Sequence, residues 1–171
     1  MSALAFAAVS VLPLLVVVAA LKDVTSMTIP NWLSGALALA FVPAALLTGL
    51  PWQEGLMHLG VGAAMLALGA GLFALGWLGG GDAKLLAGCA LWLGWPDTLT
   101  LVLWTAVGGG VVAVSFLAVR KVAAHGLVVS GPAWLTRLLT PGGDVPYGLA
   151  IAVGALAAFP GSELLTRAAA L

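Results

Sequence analysis

The sequence ALAFAAVSVLPLLVVVAALKD, residues 3–23, runs without a charge until Lys22 and Asp23 close it. About 20 apolar residues in a helix cross a hydrocarbon layer roughly 30 Å thick, since each residue rises ~1.5 Å. The run from Ala3 to Leu21 therefore reads as a membrane span. No Lys or Arg precedes it and its charges follow, an order that fits a retained helix better than a cleaved secretory leader. Working outward, the pattern recurs in Trp32–Leu50, Gly55–Trp77, Leu99–Val119 and Val145–Phe159, and Ala83–Trp95 is a shorter sixth segment, taken as a crossing. The expected fold is an all-α, polytopic membrane protein of about six transmembrane helices with its N-terminus out. Residues 1–171 form a single membrane-embedded domain in this reading, with no separate soluble domain.

Composition agrees. Of 171 residues, 63% are hydrophobic and 7% charged, and the mean hydropathy is +1.18, whereas a soluble domain carries about 25% charged residues. A net charge of zero gives no reason to expect a nucleic-acid partner; the expected partner is the lipid bilayer. The single Cys89 excludes an intramolecular disulfide framework. His58 and His125 stand alone, without a second ligand at metal spacing, so no metal and no cofactor are expected.

With the N-terminus outside, Lys22, Lys84, Arg120, Lys121 and Arg137 face the cytoplasm and Arg167 alone lies opposite, which satisfies the positive-inside rule. Trp52 and Trp95 then mark the outer interface, and Trp32, Trp77 and Trp134 the inner one. Pro13 and Pro43 predict kinks. Gly60-Val61-Gly62 and Gly108-Gly109-Gly110 predict close helix contacts. Between Arg120 and Asp144, the segment Pro132–Leu139 predicts a short helix in the interface.

Six acids remain to be weighed. Glu54, Asp97 and Glu163 fall in outer loops or the tail, where solvation suffices to explain them. Asp23, Asp82 and Asp144 fall at the inner ends of spans, and ionisable groups at a membrane are functional candidates by default. Asp23 precedes the Ile29-Pro30-Asn31 turn; Asp82 ends the run Gly79-Gly80-Gly81. Asp82 could be no more than a helix N-cap, but that leaves three glycines unexplained. Glycines permit unusual dihedrals and close backbone approach, which an extended peptide substrate or a tightly packed helix pair would require, and they would let something lie directly beside the carboxyl group. Two adjacent carboxyl groups can hydrolyse a peptide: one takes a proton from water, while the other donates to the carbonyl oxygen and then to the leaving amine.

These residues resemble the type IV prepilin (leader) peptidases, membrane aspartic proteases with an Asp followed by an Ile-Pro-Asn turn and then a G-x-G-D motif running into a Lys. Here the motifs are Asp23 with Ile29-Pro30-Asn31, then Gly79-Gly80-Gly81-Asp82-Ala83-Lys84, and Pro146-Tyr147-Gly148 resembles the family's segment opening the last helix. The resemblance implies that Asp23 and Asp82 are the catalytic pair. It implies a prepilin substrate with a short basic leader, cleaved after a Gly at the cytoplasmic border of the inner membrane, and the pilus assembly machinery as a further partner. Gly79, Gly80, Gly81, Lys84, Pro146, Tyr147 and Gly148 are then site-shaping or substrate-binding. Asp144 lies outside the pair and could receive the basic leader or simply sit solvated. Larger relatives carry an inserted Cys-bearing cytoplasmic region associated with N-methylation; this chain has no counterpart, which argues against methyltransferase activity. Its small size resembles the peptidases of Flp-type pilus systems. Two other classes compete: a small proton-coupled transporter or channel, since acids in helices also mark ion pathways, and a non-catalytic assembly subunit using its Gly-rich faces.

Overall fold

A computed structural model describes residues 2–124, 132–140, 143 and 145–171. Its regular elements are all helical: α1 (Ala3–Val9), α2 (Val11–Ser26), α3 (Asn31–Leu47), α4 (Trp52–Ala74), α5 (Gly80–Leu93), α6 (Asp97–Ala124), α7 (Ala133–Leu139), α8 (Tyr147–Ala158) and α9 (Glu163–Ala170), with a 3-10 turn at Phe159–Gly161. Among the described residues, three stretches are long and apolar enough to cross a membrane: Ala3–Ser26, Trp52–Ala74 and Asp97–Val122. A fourth counts if Tyr147–Gly161 and Glu163–Ala170, bent by 41°, form one span. α3 has 17 residues and α5 has 14. The chain is a multi-pass membrane protein by these lengths and by its surface, where Leu39, Leu46, Trp77 and Val114 lie more than half exposed. Water would not tolerate apolar exposure on that scale.

Prolines set several boundaries. Pro30, Pro51, Pro132 and Pro146 each stand at an N-cap in extended backbone, so the helix begins at the next residue. Inside the first span, Pro13 removes the amide that would bond the Val9 carbonyl, and the helix is interrupted at Ser10, whose hydroxyl donates to the Phe6 carbonyl at 2.8 Å. Pro43 leaves α3 continuous. The helices depart from the expected bounds by a few residues throughout, and two departures bear on the site and its packing. α2 continues past Leu21 to Ser26, because the Thr25 and Ser26 hydroxyls bond back to the Leu21 and Lys22 carbonyls. α9, not foreseen, packs on α1, α3 and α5.

α5 is the central element, buried at nine positions from Ala83 to Leu93. Gly62 and Gly69 let α4 lie directly on it: a Cβ at either would come within 2.9 Å of Leu91 and Ala83 respectively, and the order of these contacts makes the helices antiparallel. Such close approach through small residues replaces hydrophobic collapse as the packing device in lipid. Trp92 is buried and donates its indole N–H to the Leu37 carbonyl at 2.8 Å, tying α5 to α3. Gly108 and Gly109 rest against α8, but Gly60 and Gly110 face open space. α7 is the short helix expected within Pro132–Leu139 and contacts α2 and α6. Asp144 and His125 lie outside the described residues.

Candidate active site

Asp23 sits in the last turn of α2 and is buried. The helix closes on Met27 in the left-handed region (φ 54°), whose N–H bonds the Asp23 carbonyl at 2.7 Å, a turn that redirects the chain into Thr28-Ile29-Pro30. That turn is fastened to the start of α5 at two points. Gly81 lies against Ile29 so closely that a Cβ would stand 3.0 Å from the Ile29 Cβ. Lys84 donates from Nζ to Asn31 Oδ1 at 2.8 Å. The Ile-Pro-Asn turn thereby brings the end of α2 beside the beginning of α5, and Asp23 and Asp82 line one cleft.

Asp82 is not the N-cap of α5. Gly79 holds that position in extended backbone (φ −67°, ψ 144°), and Asp82 is the third helical residue. Its carboxylate accepts the Gly79 N–H, the reach-back half of a capping box. Oδ2 is the oxygen beside Gly79, while Oδ1 is enclosed without any hydrogen-bond partner. Asp23 is near enough for its charge to act on Asp82. The three glycines do not use left-handed backbone, which among the described glycines occurs at Gly49, Gly76 and Gly94. Close approach is what they supply: a Cβ on Gly79 would lie 2.6 Å from Asp82 Oδ2.

The opening of α8 completes the site. Gly148 donates its N–H to Asp23 Oδ2 at 2.7 Å, and a Cβ there would come within 2.9 Å of both that oxygen and Ile29 Cδ1. Pro146 is the N-cap that aims this amide, one of the donors every helix leaves unpaired in its first turn. Tyr147, 43% exposed, stands on the rim. The cleft has two lobes. One of about 230 Å³ is bounded by Asp23, Met27, Thr28, Ile29 and Gly79–Asp82. The other, of about 380 Å³, runs past Gly76, Trp77, Leu78, Val145 and Tyr147. Asp23, Met27, Gly79 and Asp82 border both.

Lys84, expected to offset the charge of the acids or to snorkel, donates its ammonium to Asn31. Two further features were not anticipated. Met27 and the Trp77-Leu78 pair form walls of the cleft. Arg120, foreseen only as an inward-facing cation, is buried. It donates from Nε to the Leu138 carbonyl at 2.8 Å and from Nη1 to the Gly143 carbonyl at 2.7 Å, and lies over the Phe116 ring. It thereby ties α6 to α7 and to the strand of chain entering α8. Its burial had no sequence signal beyond a position at the end of an apolar run.

Fold and cleft together define a helical membrane protein with two acids lining one cleft at one end of its bundle. The model of the type IV leader peptidase family matches residues 10–114, and the chain belongs to that family. It is therefore an aspartic-type peptidase, a hydrolase, and family membership implies prepilin substrates. The matched region holds Asp23, the Ile-Pro-Asn turn and the Gly-Gly-Gly-Asp run; Pro146-Tyr147-Gly148 falls beyond it. No curated protein and no solved structure matches the chain.

Proposed function

We propose that the chain is one membrane-embedded domain with six spans and its N-terminus outside, which removes the basic leader of an Flp-type prepilin at the cytoplasmic border of the inner membrane. Asp23 and Asp82 are its catalytic pair. The observation that carries this reading is the shared cleft, which both Asp23 and Asp82 line, with Asp82 Oδ1 lacking any hydrogen-bond partner. The pair holds one proton between its members and acts as a unit. The carboxylate takes a proton from water as the oxygen attacks the scissile carbonyl, and the carboxylic acid protonates the carbonyl oxygen. Collapse of the tetrahedral species breaks the C–N bond, and a proton passes to the leaving amine. One water is consumed per bond cut, and the products are a leader with a new carboxylate and a mature chain with a new amine.

The distribution of charge supports the orientation. Lys84 bonds to Asn31, and Arg120 to Leu138 and Gly143, at the end bearing the acids. Arg167 pairs with Glu163 at the opposite end. α3 and α5 are short for full spans, but α5 is enclosed by protein, where short or irregular helices are tolerated at membrane depth.

The test is cleavage of a candidate prepilin by the purified protein in detergent, comparing wild type with Asp23→Asn and Asp82→Asn. Both variants are expected to be inactive, and normal cleavage by either removes that residue from the pair. Asp-dependent ion flux into liposomes without cleavage would favour the transporter reading instead.

A further inference from the structure

A second groove, of about 330 Å³, opens on the apolar surface between α5, α6 and α8. Its α6 wall is the stripe Val102, Thr105, Ala106, Gly109, Gly110 and Ala113, spaced so that all fall on one helix face over about 16 Å. The wall is low because its residues are small, and Gly110 has no neighbour within 4 Å of where a Cβ would be. Small residues alone would not identify an occupant. The groove, however, is continuous with the catalytic cleft, because Leu78 and Tyr147 border both. At Gly109 a Cβ would lie 3.5 Å from Tyr147 Cε1, so the aromatic ring bridges the groove and the rim of the cleft.

We propose that this groove receives the apolar helix of the substrate, so that the chain leaving its inner end passes Tyr147 and Leu78 to reach Asp23 and Asp82. This rests on the peptidase reading above and adds where the substrate helix docks. A larger groove of about 510 Å³, between α3 and α4 over α5, is the natural comparison. Its polar end is the Asn31–Lys84 pair, and none of its lining residues borders the cleft. A helix seated there would leave the bilayer on the far side of the Ile-Pro-Asn turn from the two acids. Continuity with the cleft thus selects the α5–α6 groove. Gly110, open on this face, would allow the close approach by which helices associate in lipid, through packing and not through hydrophobic expulsion.

The experiment uses the full chain in liposomes and a synthetic peptide carrying a basic leader, a Gly at the junction and an apolar helix of about 20 residues, together with the same peptide cut short before the helix. Photoreactive residues are placed at Ala113 and, separately, at Ala63 in the other groove, in an Asp82→Asn background so that the probe stays whole. Labelling of the helix-bearing peptide from Ala113, and not from Ala63, is expected. No labelling from Ala113, or equal labelling from both, overturns the docking site. Because labelling needs no turnover, labelling from Ala113 with no cleavage by wild type would leave the docking site standing and remove the peptidase reading. In the kinetic arm, Gly110→Leu fills the groove. It is expected to lower kcat/KM for the helix-bearing peptide about tenfold more than for the short one, the equivalent of ~1.4 kcal/mol, chiefly through KM. Ala63→Leu is expected to change neither. Equal losses on the two peptides from Gly110→Leu would also overturn the proposal.

Discussion

The two ends of the bundle both gather ionisable groups, and they treat them oppositely. At the outer end of the proposed topology, Glu163 Oε1 receives both Nε and Nη2 of Arg167 at 2.7 Å. His58, fully buried, is held through Nδ1 by the Leu91 carbonyl at 2.8 Å, and its Nε2 faces Glu163 Oε2 across 3.9 Å. At the other end, neither Asp23 nor Asp82 has an ion-pair partner among the described residues, and their hydrogen bonds come from the backbone amides of Gly148 and Gly79. Charges matched by opposite charges are a means of joining helices. Acids gathered without an ion-pair partner among the described residues, with one oxygen left unpartnered, are an arrangement that stability alone would not select.

The sharpest way to break this contrast is to neutralise each acid of the cleft. Asp82→Asn and Asp23→Asn are expected to lower cleavage by about 10²–10⁴-fold, with thermal unfolding in detergent unchanged or shifted upward, since function is often held at a cost in stability. A large loss of stability in both would make the acids structural and erase the difference between the ends.

The next effect concerns the amide that orients Asp23. Gly148→Ala would put a Cβ 2.9 Å from Asp23 Oδ2 and from Ile29 Cδ1, so the acid or the opening of α8 must move. Cleavage is expected to fall about 10- to 100-fold, as small misplacements of a reacting group do, and helix content by circular dichroism should be retained. Wild-type rates would show that the contact is incidental. Arg120→Gln comes third. It removes the donors to the Leu138 and Gly143 carbonyls and the contact with Phe116, loosening the path into α8. A buried charge-assisted pair of this kind contributes about 1.5–3 kcal/mol, and about a tenfold loss of cleavage is expected through misplacement of Gly148. Arg120→Lys should rescue this only in part, because an ammonium cannot reproduce the guanidinium fork.

Much of the end bearing the acids was legible in the sequence. Apolar run lengths gave the all-helical membrane fold, and the rarity of acids made Asp23 and Asp82 conspicuous. The resemblance then paired them, and the structure places the Gly79–Gly81 run and Ile29 of the Ile-Pro-Asn turn along the same cleft as both acids. What stayed hidden depends on three-dimensional approach. The value of Gly148 lies in its amide, which every residue but proline has, so nothing in the letter G announces a donor aimed 125 residues back at Asp23. The glycines before Asp82 were expected to serve dihedral freedom as well as proximity, and only proximity is used. The outer end was read as solvated loop and tail because its partners, His58 on α4 and Glu163 on α9, are far apart in sequence and meet only when α9 folds back. Helix boundaries shifted by a few residues, since caps and back-bonding hydroxyls, and not hydropathy, decide where a helix stops.

The smallest effect is expected at that outer end. With the Leu91 carbonyl accepting from Nδ1, that nitrogen carries the ring proton, and Nε2 presents a lone pair toward a carboxylate oxygen unless a second proton is bound. Glu163→Gln would remove the ion pair with Arg167, whose side chains are 29% and 34% exposed and whose worth is therefore at most about 1 kcal/mol. The same change supplies an amide N–H able to donate toward Nε2, which offsets part of the loss. Thermal unfolding should drop by only a few degrees, and cleavage should stay within about twofold of wild type, the range of a change that leaves the reacting groups in place. If cleavage collapses while the fold persists, the paired charges at the outer end are coupled to the cleft through α5. The contrast between a structural end and a chemical end then has to be given up.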